Sequence, residues 1–420
     1  MNFNKNDITL VFLVFLFFPI GCQSCQTQRT FVIESSLMEE NKTKIEEGNA
    51  VLQSALDNIV RQADSVMETP VHSVMQKPAV PPSGNKHDYL SRGTYWWPDP
   101  TKPKGIPYIR KDGNVNPEVS KIRDFHYMNE LSEAIKILGV AYYYTSEEKY
   151  VADGLRRLRT WFLNSDTRMN PNLNHSQVIP GVSEGRKEGL IDTRSFVDLI
   201  DGVQLLSASE SFTKNDLSGM KGWFSEFLNW MTTSEIGKGA RMLENNIGTA
   251  YYMQLVTYAL FTGNKSRALE ALKGPIPELI ETQFEQDGRQ PKELSRTNAW
   301  SYSTANLNYW FRIARLAEHM NIDLWNYRTP SGKSIRTGYE WLLQYADNDR
   351  EWTYQQIKGG DLNRAFSGIR SRASRKYNRL NTSKNESSNV IANSHESKSR
   401  SADAAQANQN AMMVLTEGQY

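Results

Sequence analysis

The sequence has little cysteine and almost no excess of charge of either sign. Its 420 residues contain two cysteines, Cys22 and Cys25, both near the N-terminus. This placement excludes a disulfide framework and a cysteine-based zinc site deeper in the chain. The 49 Lys and Arg residues against 47 Asp and Glu give a formal net charge of +2. Because no global positive field is present, we expect no nucleic-acid partner.

Long apolar runs are also scarce, since the one marked run covers residues 8–18 and is followed by Gly21 and Cys22. It is too short for a confident membrane span and is typical of a signal peptide, which we place at residues 1–22. Gly21-Cys22 resembles a lipoprotein cleavage box, with ordinary secretory cleavage as the alternative. We therefore expect an exported protein, periplasmic or an outer-membrane lipoprotein of a Gram-negative bacterium, that contacts a membrane only through a lipid anchor on Cys22.

Helical periodicity dominates the rest of the chain, and few segments alternate with period two. One apolar stripe at helical spacing consists of Leu131, Ile135, Leu138 and Tyr142. Similar patterns predict helices over residues 266–283 and 305–319. An all-α domain over residues 27–370 follows, with antiparallel helices in a bundle, a solenoid or a closed toroid. We expect residues 371–420, rich in Ser, Asn, Lys, Arg and Ala, to form a polar, partly disordered tail.

Aromatic residues are abundant, with 10 Trp and 19 Tyr. Tyr95, Trp96 and Trp97 lie together in a Pro- and Gly-rich segment that ends at Arg110. Neighbouring side chains of an extended segment point to opposite sides, so one tryptophan ring is expected to face a groove and stack on a sugar. The alternative is that both rings pack under a loop.

A second polar segment, residues 168–194, lies between two predicted helices. It contains Asn174, His175, Gln177 and Arg186, which we interpret as substrate-binding residues with His175 as a proton-transfer group. The alternative for His175 is a hydrogen-bonded structural imidazole.

Two further segments carry amide, guanidinium and phenol groups. Asn245 and Asn246 stand at the expected start of a helix, where one can cap the helix and the other can offer its amide to a ligand carboxylate. Arg296, Trp300 and Tyr302 lie in a loop-like segment further on. A phenol near an arginine is a plausible proton-transfer pair, and the alternative for Tyr302 is an interfacial tyrosine.

Together these segments resemble the alginate lyase superfamily of polysaccharide lyases, and most of all polysaccharide lyase family 38, whose members act on alginate or glucuronan. The resemblance covers residues 86–357 and is carried in order by KHDYLSRGTYWWPDP, GIPYIRKDGNVNPE, TRMNPNLNHSQVIPG, ENNIGT, QPKELSRT and NIDLWNYRTPSGKSIR. It implies an (α/α) toroid, an incomplete barrel of six or seven helical hairpins with long substrate-binding loops. It also implies β-elimination on an anionic uronic acid polymer, without a metal or other cofactor.

The resemblance also implies roles for particular residues. The family's Asn-Asn-His motif falls on Asn245, Asn246 and Ile247, which makes Asn246 the expected neutraliser of the substrate carboxylate. The family's arginine and tyrosine fall on Arg296 and Tyr302. Tyr302 is then the expected acid, and also the base in a syn elimination. Arg296 would polarise the carboxylate or lower the Tyr302 pKa.

The chain departs from the family pattern at two positions, since Ile247 and Ser301 stand where relatives often carry histidine. His175 is the first candidate for a replacement imidazole, and His126 is the second. Without an imidazole, a syn mechanism on Tyr302 alone would favour mannuronate or glucuronate over guluronate.

The sequence therefore predicts a polysaccharide lyase that cleaves alginate, mannuronate-rich in the first instance, or glucuronan. Two alternatives remain open at this point. A glycoside hydrolase on the same toroid would need paired carboxylates, for which the candidates are Asp192, Glu244 and Glu293. Ile247 motivates the other alternative, a non-catalytic polysaccharide-binding lipoprotein derived from a lyase.

Overall fold

The computed structural model describes residues 30–359, 361–377 and 400–417. The predicted signal peptide and Cys22 lie outside these residues, as do residues 378–399 of the predicted tail. In the part of the chain that is described, no helix is long and apolar enough to cross a membrane.

The described residues form fifteen α-helices and four very short strands. The helices are α1 (Ser35–Glu46), α2 (Ala50–Met67), α3 (Asp124–Thr145), α4 (Glu148–Leu158), α5 (Phe196–Leu206), α6 (Lys214–Thr233), α7 (Glu235–Arg241), α8 (Asn246–Phe261), α9 (Lys265–Lys273), α10 (Pro275–Gln283), α11 (Pro291–Leu294), α12 (Ala299–Glu318), α13 (Ile335–Ala346), α14 (Leu362–Tyr377) and α15 (Arg400–Glu417). The all-α prediction is confirmed.

The strands belong to the segments that precede α3 and α5. Strand β1 (Leu90–Arg92) pairs in parallel with β4 (His175–Val178), and β2 (Trp96–Trp97) pairs antiparallel with β3 (Ile109–Arg110). The β1–β4 sheet therefore brings together two polar segments, since Leu90 is paired with His175, 85 positions further along the chain.

Seven of the helices form a closed ring. In order around the ring, α2 packs on α3, α3 on α5, α5 on α8, α8 on α12, α12 on α14, α14 on α15, and α15 returns to α2. Helices α1, α4, α6, α9 and α13 pack on members of this ring. A cavity of about 1290 Å³ is lined by residues of α2, α3, α12, α14 and α15.

Two glycines allow a close helix crossing in the ring, between α3 and α5. A Cβ atom on Gly202 would lie 2.4 Å from the carbonyl oxygen of Ile135, and one on Gly139 would lie 2.8 Å from the carbonyl oxygen of Gly202. The two backbones therefore meet without intervening side chains, as small residues permit in tightly packed cores.

The structure corrects two boundaries that were predicted from the sequence. Residues 266–283 form two helices, α9 and α10, because Pro275 lacks the N–H group that a continuous helix needs. The domain does not end at residue 370, since that position lies within α14, and α15 closes the ring. Asn41 of α1 donates a hydrogen bond of 3.2 Å to the carbonyl oxygen of Leu415 in α15, so the described part of the predicted tail belongs to the fold.

Candidate active site

Tyr302 lies in the first turn of α12, not in the loop that the sequence suggested. Its backbone N–H donates to the carbonyl oxygen of Asn298 at 3.1 Å. Its hydroxyl oxygen is 2.7 Å from that of Tyr95, and the guanidinium carbon of Arg296 is 3.7 Å from its ring centroid. The structure thus joins Tyr302, Tyr95 and Arg296 into one group.

Asp112, which the sequence analysis missed, holds this arginine in place. Its carboxylate accepts hydrogen bonds from Nε and Nη2 of Arg296 at 3.1 and 2.8 Å, and from Nη2 of Arg110 at 2.6 Å. Partial burial raises the pKa of this carboxyl, but the bonds from Arg296 and Thr297 outweigh burial and lower the pKa to about 2. The sequence signal was the Asp112-Gly113 turn, which is common in loops.

Tyr302 is a protonated phenol at rest. Burial and the neighbouring Tyr95 hydroxyl raise the pKa of Tyr302 well above its ordinary value, and the positive charge of Arg296 opposes this rise. The expectation that Arg296 lowers this pKa is correct for the sign of its own effect but wrong for the net shift, because burial dominates. A protonated phenol is suited to donate a proton.

The paired asparagines divide their tasks at the start of α8. The side-chain oxygen of Asn245 caps the helix by accepting from the N–H of Ile247 at 3.1 Å. Asn246 is 3% exposed, and its backbone N–H donates to Oε1 of Glu293 at 2.6 Å. Its side-chain oxygen is buried and has no hydrogen-bond donor within the described residues.

A buried polar network supports this helix start from behind. Nε2 of Gln283 donates to the carbonyl oxygen of Asn245 at 2.9 Å, and Oε1 of Gln283 accepts from Asn306 and Trp310 at 2.9 Å each. Because these side chains are buried, the position of the α8 N-terminus is rigidly determined.

In the second polar segment, residues 168–194, the predicted site side chains form hydrogen bonds with other groups of the protein. His175 is 9% exposed, and its Nδ1 is 3.1 Å from the carbonyl oxygen of Glu184. The Asn174 side chain accepts from Nε1 of Trp230 at 2.8 Å. The Gln177 side chain donates to buried Asp192 at 2.9 Å.

The predicted aromatic wall lies on β2, directly after Tyr95. The guanidinium carbon of Arg186 is 5.9 Å from the ring centroid of Trp96, and Nζ of Lys111 is 5.2 Å from that of Trp97. Both tryptophans are half-buried. Cations placed over these rings leave an amphipathic surface of the kind that binds sugars and carboxylates.

Two predicted residues are not part of this arrangement. Trp300 is 2% exposed and packs on Trp352, with ring centroids 5.0 Å apart. A ring so deeply buried cannot stack on a sugar, so the substrate-binding assignment of Trp300 is wrong. His126 is bound to Glu130 of its own helix at 2.9 Å and contacts Tyr127, and no contact connects it to Tyr302 within the described residues.

The carboxylates that a hydrolase would need are engaged separately. Asp192 accepts from Tyr89, Ser91 and Gln177, Glu244 is paired with Lys292, and Glu293 is bound to Asn246. In residues 30–359, 361–377 and 400–417, no group of three or more His, Cys, Asp or Glu residues could hold a metal ion.

The ring of helices thus carries phenol, guanidinium and amide groups at or just before the starts of two packed helices, α8 and α12, and this set can bind an anion and donate a proton. A family model described as Alginate lyase matches residues 73–352. The chain belongs to the alginate lyase family and is a polysaccharide lyase with an (α/α) toroid fold.

Solved structures agree with this assignment. An alginate lyase from Bacteroides ovatus is 34% identical, with a TM-score of 0.82 over 93% of this chain and 99% of that chain. Alginate lyase A1-III from Sphingomonas species A1 is 15% identical, with a TM-score of 0.52 over 83% and 91% of the two chains. A variant of A1-III complexed with a tetrasaccharide has a TM-score of 0.54 at 15% identity, over 86% and 92%. The last two show the fold alone, and no curated protein sequence matched.

Proposed function

We propose that this lyase cleaves a uronic acid polymer, mannuronate-rich alginate or glucuronan, by β-elimination. The observation that carries the proposal is the Tyr302 group, in which a protonated phenol lies between a second hydroxyl at 2.7 Å and a guanidinium at 3.7 Å. The alginate lyase from Bacteroides ovatus supports an alginate-type substrate.

The reaction breaks the C5–H and C4–O4 bonds of a uronate, forms the C4–C5 double bond, and delivers a proton to O4. The charge that builds on the carboxylate needs fixed donors. The amide of Asn246 and the guanidinium of Arg296 can supply them, while Asp112 keeps Arg296 in one orientation. No metal ion is required for this arrangement.

One phenol can handle both protons of a syn elimination. Tyr302 first releases its phenol proton to solvent, and the resulting phenolate, which the nearby Arg296 stabilises, takes the C5 proton and then delivers that same proton to O4. Because burial raises the pKa of Tyr302, this phenolate is a minor form at neutral pH. Since C5–H and O4 lie on the same side of mannuronate and glucuronate, these sugars fit a mechanism in which one phenol transfers both protons. Ile247, where relatives often have histidine, is consistent with a mechanism that uses no imidazole at that position.

The test is a substrate panel with one matched pair of variants. Purified protein is incubated with polymannuronate, polyguluronate and glucuronan, and ultraviolet absorbance follows the new double bond. We expect absorbance with the first or third polymer, and a loss of roughly 100- to 10,000-fold in Tyr302→Phe. Tyr327→Phe, at a half-buried tyrosine between α12 and α13, serves as the control.

Two outcomes would contradict the proposal. New reducing ends without absorbance would indicate hydrolysis, and full activity of Tyr302→Phe would exclude this tyrosine from proton transfer.

We also propose export and a lipid anchor on Cys22, based on the apolar run before Gly21-Cys22. Metabolic labelling with a radioactive fatty acid in a Gram-negative host should label the wild-type protein but not Cys22→Ser. Equal labelling of both proteins would refute the anchor.

A further inference from the structure

Glu293 is a buried carboxyl group directly behind the amide that the proposed mechanism uses. It belongs to α11, is 2% exposed, and accepts the backbone N–H of Asn246 on Oε1 at 2.6 Å. Its other oxygen, Oε2, is buried without a donor within the described residues, and so is the side-chain oxygen of Asn246. Two connected residues thus carry two unsatisfied acceptors.

A single proton would relieve this arrangement. Buried acceptors without partners are costly, and an ionised carboxylate can only accept, whereas a protonated one also donates through its O–H. A proton on Oε2 gives this pair of residues the donor that it lacks. An ionised Glu293 would place a buried negative charge beside the asparagine that is expected to receive a substrate carboxylate.

The surroundings favour the neutral form. Burial raises the pKa of Glu293 to about 7, although the Asn246 N–H and the positive charge of Arg296 oppose the rise. That positive charge is already compensated by Asp112, which accepts two hydrogen bonds from Arg296. Tyr309 of α12 also faces Glu293 and is itself neutral, because burial raises its pKa.

We propose that Glu293 is a positioning residue that acts as a neutral carboxyl group, accepting the Asn246 N–H on one oxygen and donating its own proton to the Asn246 side-chain oxygen. This bond would orient the Asn246 amide hydrogens toward the substrate carboxylate and keep like charge away from it. The inference rests on the proposed function, because it assigns Asn246 to the uronate carboxylate.

The decisive variant is Glu293→Gln, which keeps an acceptor and supplies a permanent N–H donor at all pH values. We expect kcat/KM within about threefold of wild type at pH 6. The ratio of kcat/KM for Glu293→Gln to that for wild type should then rise roughly tenfold by pH 8.5, because wild-type Glu293 ionises and the variant does not. The change should appear mainly as an increase in the KM of the wild type at high pH, with a smaller change in its kcat. Glu293→Ala, which has neither group, should lose activity across this range.

Glu281→Gln is the matched control, because the Glu281 side chain is 39% exposed and its carboxylate accepts from Ser331 at 2.7 Å. Its pH profile should follow that of wild type. Inactivity of Glu293→Gln at every pH would show that an ionised carboxylate is needed and would overturn the proposal. A constant activity ratio from pH 6 to pH 8.5 would overturn it as well.

A stability measurement separates this inference from the proposed function. Because the folded-state pKa is raised, the folded protein binds the Glu293 proton more tightly than the unfolded chain does, and its stability falls as pH rises from about 4.5 to about 7. The Tm of Glu293→Gln minus the Tm of wild type should therefore increase over this interval. If this difference increases but no uronan is cleaved, the proposed function alone is refuted. If the difference stays constant, the neutral Glu293 carboxyl group is refuted.

Discussion

Asp112→Asn is the substitution that most directly tests how the candidate active site is organised. The wild-type carboxylate accepts from Arg296 at two nitrogens and from Thr297 at its backbone N–H and hydroxyl. The variant keeps a similar shape but loses the negative charge, and its amide nitrogen cannot accept from a guanidinium. Arg296, whose side chain is 18% exposed, then has no charged partner there and is no longer held over the Tyr302 ring.

The size of the effect follows from the pKa of Asp112. A fall from 3.8 to about 2, at about 1.4 kcal/mol per pKa unit, corresponds to about 2.5 kcal/mol of preference for the ionised form. The side chain is 21% exposed, so solvent screening reduces this value to about 2 kcal/mol. If all of it is expressed in the transition state, kcat/KM falls roughly 30-fold. The same free energy should lower Tm by a few degrees.

The assay compares Asp112→Asn with Asp287→Asn, at an exposed aspartate that pairs with Arg289 at 2.7 Å. Exposed pairs contribute about 0–1 kcal/mol, so this control should resemble wild type in Tm and in the rate of double-bond formation. Because the folded-state pKa is lowered, the stabilisation by Asp112 is present above pH 3.8 and is lost as pH falls toward 2. The Tm difference between wild type and Asp112→Asn should therefore shrink over that interval. A wild-type rate and Tm for Asp112→Asn at pH 7 would refute the reasoning.

Three further substitutions, one of them with a matched control, test the surroundings of Tyr302 and the packing of the helical ring. Tyr95→Phe removes one hydrogen bond from Tyr302 and should reduce kcat about 3- to 10-fold; a 1000-fold loss in the absorbance assay would make Tyr95 the reacting phenol. His175→Gln should cost less than about tenfold in kcat/KM, since the imidazole is held by the Glu184 carbonyl; a larger loss together with an altered pH profile would identify it as the base. Gly202→Ala should lower Tm, because its Cβ would lie 2.4 Å from a carbonyl oxygen of Ile135, whereas Gly222→Ala, with nothing within 4 Å, should be neutral or stabilising by about 1 kcal/mol. Equal Tm values for the two glycine variants would contradict the packing argument.

The helices and the candidate residues were predictable because local patterns encode them. The apolar stripe through Leu131 and Ile135 lies within α3, and the paired asparagines start α8 as their capping tendency indicates. Tyr302 and Arg296 were identified as a pair from their short separation in the sequence, the resemblance implied their roles, and the structure places them together.

The remaining features depend on contacts between distant segments. Asp112 and Arg296 are separated by 184 positions, and no local pattern links an Asp-Gly turn to a guanidinium. The burial of Trp300 depends on Trp352, which follows it by about fifty residues. The ring closure by α15 was missed for the same reason, since a polar composition suggested a tail while the packing partners lie in α1 and α2.

Acidic and basic side chains balance one another within the candidate active site, as they do in the chain as a whole. Arg110, Arg186 and Arg296 all belong to the polar segments from which the sequence analysis drew the candidate site residues. In the structure Arg110 and Arg296 share Asp112, and Arg186 is paired with Glu188 at 2.8 Å. These arginines are therefore held in fixed orientations by carboxylates instead of forming an uncompensated positive patch.

Such pairing weakens the long-range attraction between the arginines and a polyanionic substrate, which depends on net charge and is screened by salt. It also fixes the hydrogen-bond donors at the place where charge builds up in the transition state. A neutral Glu293 behind Asn246 completes the same logic. The acidic groups described near the proposed carboxylate site are then bound to a cation, as Asp112 is to Arg296 and Glu244 is to Lys292, or protonated, as we propose for Glu293, so that none of them repels the substrate carboxylate as a free anion.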